Sequence, residues 1–551
     1  MSVPVPRSFL LLFPVGAMLA VLGLWRCWGL SERGLLEHDE GHYLLATRTC
    51  RNIAVWGLRH RGFPDDPAAL QALKDDFHRR GGTLYAAGKH GYIAALALIS
   101  LPGGVSSSLA LGFSWATGML ALLLAFLLFR EIGGAGSDMR AGLLVMFGIG
   151  LSPLFGSLSR EVGPMSLSLA MGLLGWWLLL RSVKKEKSGG WSFAPRAFLA
   201  GLALGYGFTC HYNLLPFLAG LLFAETLGAV LRGEGKQWTR RLLWICVGGL
   251  VIFALFQSAT WLAERRLHAI YPKFRTYGNE LFHQFFTYQT PMLGEQGVSE
   301  GARGWSTAAL GYCVRVLRRE GILPLLLLLF VLVGVLRAIR GGNHALLTPL
   351  VTFVFMLVFW VLHPWKIERS WGMMVVCGWI LGGLYFFQKG TLEFGTSRIF
   401  DCLKLPVPFL LGALLFFHGA EMALRPWNTL WTQSCPIPSA ARTALSYVKE
   451  HGGSITAASA AGSRAPLWKW ALIEEGADAE TAWALAAVDF SSFAAPDIVF
   501  VDPDTWRAAE LSFTREAVAR GRLVYGVRAE NPPALYSVHD LRATSPAAAN
   551  P

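Results

Sequence analysis

The chain has 551 residues, of which 53% are hydrophobic and 15% charged, with a formal net charge of +13; its mean hydropathy is +0.43. Soluble domains carry about 25% charged residues, so this composition excludes a soluble globular protein, a disordered chain and a coiled coil. It points to membrane helices, each needing about 20 apolar residues to cross the hydrocarbon core.

Residues 8–30 form one apolar run after Arg7, closed by Trp25, Arg26 and Trp28, an interfacial set. The run is longer than a signal core and has no small-residue cleavage site. It is expected to be a retained first helix with its N-terminus in the cytoplasm. Further spanning runs are expected at 107–129, 141–158, 163–180, 197–212, 214–231, 242–262, 321–339, 346–362, 371–387 and 405–422, making eleven in all. Residues 91–102 are about half a span long and stop at Pro102-Gly103-Gly104, which predicts a membrane-edge helix. With the first helix oriented this way, the inner loops hold Arg130, Arg140, Arg181, Lys184, Lys185, Arg240, Arg241, Arg337 and Lys389, among others. The short outer loops hold only Arg160, Lys366 and Arg369. The basic excess therefore follows the positive-inside rule, and nucleic acid is not an expected partner. The eight Cys are scattered without a CxxC, so neither a zinc site nor a disulfide framework is read.

Three outer segments are long: 31–106, 263–320 and 423–551. The first contains Pro67–Arg80, patterned as an amphipathic surface helix. In the tail, Leu467–Glu475 and Asp478–Val488 read as helices, and Asp497–Val501 and Leu523–Val527 as strands. The fold class is thus an all-α polytopic membrane protein with a small C-terminal α/β extracytoplasmic domain. The expected boundaries are a transmembrane domain at 1–422 and the end domain at 423–551.

The middles of the spans are almost free of ionisable residues, which suits chemistry at the outer surface better than passage through the membrane. The first candidate site is His38-Asp39-Glu40-Gly41-His42-Tyr43, just after helix one. A carboxylate there could act as general base, or Asp39 could simply cap a helix over His42–Ile53. The two His could join the carboxylates around a metal, although their spacing is not specific. The second is Arg160-Glu161 in the turn between spans three and four, with Glu161 expected on the outer surface. It serves either function or the dipole of the next helix. The third is Lys366-Ile367-Glu368-Arg369, whose two cations share a helix face and could hold a lipid-linked phosphate. The bland reading is snorkelling beside Trp365 and Trp371. His211-Tyr212-Asn213 could line a cavity or cap a helix.

Taken together and in order, these sites resemble the GT-C class of membrane glycosyltransferases. The likeness is to the branch of protein O-mannosyltransferases and lipid A aminoarabinose transferases. It rests on Asp39, Glu40, Tyr43 and Ala46 in a long first outer loop, the segment Gly88-Lys89-His90-Gly91-Tyr92, Glu161 in an Arg-Glu-x-x-Pro setting, and Lys366-x-x-Arg369. It covers roughly residues 1–425. Where the family often has Lys-Pro-Pro, this chain has Lys89-His90-Gly91.

The resemblance implies an inverting transfer of a hexosyl or pentosyl unit from a polyprenyl-phosphate sugar to the hydroxyl of a lipid, glycan or protein acceptor, beside membrane lipids. It implies Asp39 as base and Glu40 or Glu161 positioning the acceptor or a divalent metal cation. Lys366 and Arg369, with Arg265 or Arg275, would hold the phosphate. His38, His42, Tyr43, Lys89 and Arg160 are the remaining expected binding residues. The expected location is a bacterial inner membrane with the site and end domain extracytoplasmic. The rival readings are a transporter or flippase of a polyprenyl-linked glycan, and an inactive member whose tail binds another envelope protein.

Overall fold

In the computed structural model the described residues are 7–27, 38–60, 89–134, 139–187, 193–270, 346–362, 371–387, 436–458, 465–477, 497–501, 520–530 and 533–542, with a few isolated positions besides. Helices α1 (Arg7–Cys27), α2 (His38–His60), α3 (His90–Ile99), α4 (Ser107–Gly133), α5 (Met139–Leu151), α6 (Pro153–Arg160) and α7 (Met165–Lys187) come first. After them run α8 (Phe193–Cys210), α9 (Leu215–Leu231), α10 (Gly235–Ile270), α11 (Leu347–Leu362) and α12 (Gly372–Phe387). By length and composition, four helices among the described residues can cross a membrane: α4, α7, Tyr212–Leu231 and α10. The bent pair α5–α6 makes a fifth if counted as one span. The chain is an integral membrane protein. The expected runs 321–339 and 405–422 lie outside the described residues apart from isolated positions, as do Pro67–Arg80 and Asp478–Val488.

Residues 141–158 differ from the expected straight span: α5 and α6 meet at 68°. Pro153 cannot donate a backbone bond, and the residue before a proline is pushed out of the helical region. Ser152 has ψ 123° and caps α6 by accepting from the Phe155 amide at 3.2 Å. The half-length run 91–102 does form a short helix, α3, whose Tyr92, Ile93 and Leu96 are buried. On α8 and α10, Gly205 faces Gly249 and Gly201 faces the Ile245 carbonyl, so the two backbones touch. Small residues permit such approach where lipid supplies no hydrophobic drive between helices. The opposite face of α10 exposes Leu243, Leu250 and Leu255, as a lipid-facing helix does.

The C-terminal domain contains α13 (Ile437–His451), β1 (Ile455–Ala458), α14 (Ala465–Glu474), β2 (Ile498–Val501), β3 (Arg522–Glu530) and β4 (Pro533–Asp540). The sheet order is β1-β2-β4-β3. Strands β1 and β2 pair parallel, with Ile455 opposite Ile498; β4 runs antiparallel to both β2 and β3. The uninterrupted run Ile498–Val501 is wholly buried, as a strand covered on both faces should be. Trp468 of α14 stacks on Phe500 of β2, with ring centroids 4.2 Å apart.

This domain is not a tethered bead. One continuous hydrophobic cluster joins Tyr43, Leu44, Tyr92, Ala110 and Val162 of the membrane domain to Ala440, Leu467, Trp468, Trp470, Phe500 and Val538. It covers the end of the bundle where α1 and α6 finish and α2, α4 and α7 begin.

Candidate functional site

The acidic pair lies in the first turn of α2, where carboxylates suit the positive end of the helix dipole. Asp39 therefore does not cap a helix beginning at His42: the helix starts at His38, ahead of it. Glu40 is 1% exposed, and its Oε1 accepts from the Val162 amide at 2.8 Å. Asp39 beside it is half-buried. The bond brings the turn of α2 against the 161–164 bend, more than a hundred residues along the chain. Glu161 is 8% exposed rather than lying on the outer surface, and its neighbour Val162 packs in the hydrophobic cluster that the C-terminal segment shares.

Tyr43 is the hub of the next layer. Lys89, immediately before α3, puts Nζ 5.2 Å from the Tyr43 ring centroid and is 8% exposed. A cation at a helix N-terminus meets an unfavourable dipole, and the ring face offsets this. Tyr43 packs edge-on against Tyr92, with centroids 5.7 Å apart. Burial pushes the Tyr92 hydroxyl up, and the nearby Glu40 charge adds to the effect. Burial likewise holds the His90 imidazole below its ordinary value.

The 161–164 bend is held from two sides. On one, Thr117 and Ser166 hydroxyls are 2.7 Å apart, and Gly118 of α4 meets Ser159 so closely that a Cβ there would lie 2.5 Å from the serine Cβ. On the other stands Arg26, which the sequence presents as an interfacial anchor. It is fully buried instead. Its guanidinium donates to the Gly150 carbonyl at 3.0 Å, to the Phe155 carbonyl at 3.4 Å and to the Ser159 hydroxyl, so it spans the α5–α6 bend. It also lies over the Phe155 ring at 4.5 Å. Arg160 answers by donating to the Arg26 carbonyl at 2.7 Å. No local pattern marks Arg26 for this role; the nearest signal is a basic residue one helix-end away from an Arg-Glu motif.

Asp39, Glu40, Tyr43, Lys89, Arg160 and Glu161 thus share one end of the bundle, with His42 half-buried on α2 among them. His211 accepts from the Asn213 amide at 3.0 Å and caps a short 3-10 turn, the capping alternative of its two readings. His38 and Arg265 lie in α2 and α10, and their side chains fall outside the description. Arg275, Lys366 and Arg369 lie outside the described residues. Among the described residues no three His, Cys, Asp or Glu groups gather in a set that could hold a metal ion, so the divalent cation expected at the acidic pair has no described ligand set.

A helical membrane bundle whose first-loop acidic turn closes on a bend between later spans, under a C-terminal α/β domain, has the GT-C fold. Solved structures share this fold. ArnT from Cupriavidus metallidurans in the apo state matches with a TM-score of 0.54 over 96% of this chain and 98% of that one, at 13% identity. The same protein bound to undecaprenyl phosphate gives 0.53 over 95% and 97%, at 14% identity. The Archaeoglobus fulgidus oligosaccharyltransferase in complex with Zn and sulfate gives 0.50 over 94% and 72%, at 12% identity. At the level of sequence, no family model and no curated protein matches.

Proposed function

We propose that the chain is a polyprenyl-phosphate-sugar-dependent glycosyltransferase acting on an acceptor hydroxyl at the extracytoplasmic face of the membrane, with inversion. The observation that carries this reading is the pairing of a buried Glu40, bonded to the Val162 amide, with a half-buried Asp39 beside it. The committed carboxylate positions and the accessible one reacts. Asp39 takes the acceptor hydroxyl proton while the acceptor oxygen bonds to the anomeric carbon. The bond from that carbon to the phosphate oxygen breaks on the opposite side, and the lipid phosphate departs as an anion. Lys366 and Arg369, with Arg265 or Arg275, hold its charge. Glu161 shapes the acceptor side. The topology that goes with this reading has eleven spans, a membrane domain at 1–422 and an end domain at 423–551 outside a bacterial inner membrane. The complexes with undecaprenyl phosphate in ArnT, and with zinc and sulfate in the archaeal enzyme, fit a phosphate-bearing lipid donor in this class.

The test is transfer of a labelled sugar from a polyprenyl-phosphate donor by the purified chain in nanodiscs. Asp39→Asn should remain folded and lose transfer; full activity in that variant removes Asp39 as the base. Movement of lipid-linked glycan across vesicles without any acceptor would favour the flippase reading instead.

A further inference from the structure

Helix α14 touches the membrane domain at both of its ends. At the first, Gly41 of α2 lies against the backbone of Pro466 and Leu467: a Cβ on Gly41 would be 2.5 Å from the Leu467 nitrogen. At the second, Glu474 Oε1 accepts from the Ser107 amide at 2.7 Å and Oε2 from the Ser107 hydroxyl at 2.5 Å. The Trp470 indole N–H donates to the same hydroxyl at 2.9 Å and to Glu474 Oε2 at 3.2 Å. Ser107 opens α4, whose first amides have no partner within the helix. Ser106 satisfies one of them, at Leu109, and Glu474 satisfies another while placing a negative charge at the positive end of the dipole.

These contacts close a ring. The acidic turn of α2 meets the 161–164 bend through Glu40 and Val162. The bend and its flanks are fixed to α4 through Ser166 on Thr117 and Ser159 on Gly118. Helix α4 is fixed to α14 through Ser107, and α14 returns to α2 at Gly41. From Pro466 to Glu474 a helix rises about 12 Å, a rigid strut across the gap between α2 and α4. It adds to the links that α2 already has toward α4, the Arg51 bonds to the Ser100 and Leu101 carbonyls and the ring contacts Tyr43–Tyr92–Phe113.

We infer that α14 is the brace that sets the separation of the acidic turn from the 161–164 bend, with Glu474 and Trp470 as positioning residues and Ser107 as their anchor. For its activity arm this rests on the transferase reading above. The residues touch no reacting atom; they act through α2.

The test compares the full chain with Glu474→Ala and Glu474→Gln in nanodiscs. Hydrogen exchange of residues 38–43 and of 161–164 should accelerate in the alanine variant while α8 stays unchanged. This arm needs no activity. In the transfer assay, Glu474→Ala should lower kcat by roughly 10- to 100-fold, the scale of a misplacement of about 1 Å, with the donor KM within about twofold. Glu474→Gln keeps an oxygen for the Ser107 amide and should recover most of kcat. Should Glu474→Ala not fold, Trp470→Phe, which removes only the indole N–H, takes its place with a smaller effect in the same direction. Unchanged exchange at 38–43 would overturn the brace, as would faster exchange spread evenly through α8, or faster exchange with kcat untouched. If the wild-type chain transfers no sugar but its exchange responds as expected, the brace stands and only the transferase reading falls.

Discussion

Substituting Gly41 by alanine adds one methyl group at a close backbone contact between α2 and the C-terminal domain. The new Cβ would lie 2.5 Å from the Leu467 nitrogen and the Pro466 carbonyl carbon, and 2.6 Å from the Pro466 oxygen. Ordinary non-bonded contact is about 3.5 Å, and these atoms are backbone, with no rotamer to turn aside. The two helices must part by about 1 Å. Overpacking of this kind costs about 1–3 kcal/mol. If α2 takes up the shift, the Glu40 bond to the Val162 amide stretches from 2.8 Å to about 3.8 Å, past hydrogen-bonding range. The expected loss in transfer is about 100-fold. Gly57 on the same helix is the control: a Cβ there meets nothing within 4 Å. Gly57→Ala should gain about 0.5–1 kcal/mol from the reduced backbone entropy of the unfolded chain. Thermal unfolding and sugar transfer are measured side by side in nanodiscs. A Gly41→Ala chain whose unfolding midpoint rises as that of Gly57→Ala does, with wild-type transfer, would refute a tight contact at Gly41.

Two further outcomes follow from buried or paired charge. Arg26→Lys keeps the charge but replaces a planar fork by a single ammonium, which cannot serve the Gly150 and Phe155 carbonyls and the Ser159 hydroxyl together. Each group left unfilled costs about 1–3 kcal/mol, so the unfolding midpoint should drop and transfer should weaken; an unchanged midpoint would show that Arg26 does not hold the bend. In the end domain, hydrogen bonds from Arg542 hold the Asp540 carboxyl down at about 2, helped by the Tyr447 hydroxyl. A depressed carboxyl contributes its full stability above its ordinary value of 3.8 and loses it as the pH falls through about 2. Amide exchange along β4 should therefore rise across that window, and Asp540→Asn should flatten the rise. A wild-type chain whose β4 exchange is level from pH 3.8 to 2 would contradict the assignment.

What the sequence reveals and conceals follows from the range of each interaction. Apolar runs report spans because membrane helices satisfy their backbones locally, and α4, α7 and α9 fall where the runs do. The Asp39-Glu40 pair and Glu161 are visible as charges at helix ends, yet their meeting through Val162 needs the fold. Arg26 looks like any interfacial arginine because its three acceptors lie 124 to 133 residues away. Helix α13 leaves a faint trace in the sequence although Ile437, Ala440, Ala441, Ala444 and Leu445 repeat at helical spacing: the stripe is mostly alanine, too weakly apolar to stand out. Strand β4 is hidden for another reason: Pro533 at its start reads as a break, whereas it is the last pair of the ladder, opposite Glu530.

The same contacts explain why so many charges can be buried at one end of a membrane bundle. Glu40, Glu161, Lys89, Arg160 and Arg26 are all at or below 8% exposure, and a buried charge is tolerated only where partners replace its water. Glu40 has the Val162 amide, Lys89 the Tyr43 ring, and Arg26 two carbonyls and a hydroxyl. The buried Leu467, Trp468 and Trp470 of α14 pack in one hydrophobic cluster with Tyr43 and Val162, next to these groups. Apolar packing of this kind makes a drier surrounding, in which every field is stronger. Asp39 lies half-buried at the margin of that dry layer. On the transferase reading proposed above, a base in that position would meet the acceptor at the boundary between water and protein, where a hydroxyl can arrive solvated and lose its proton to a carboxylate whose neighbours are already fixed.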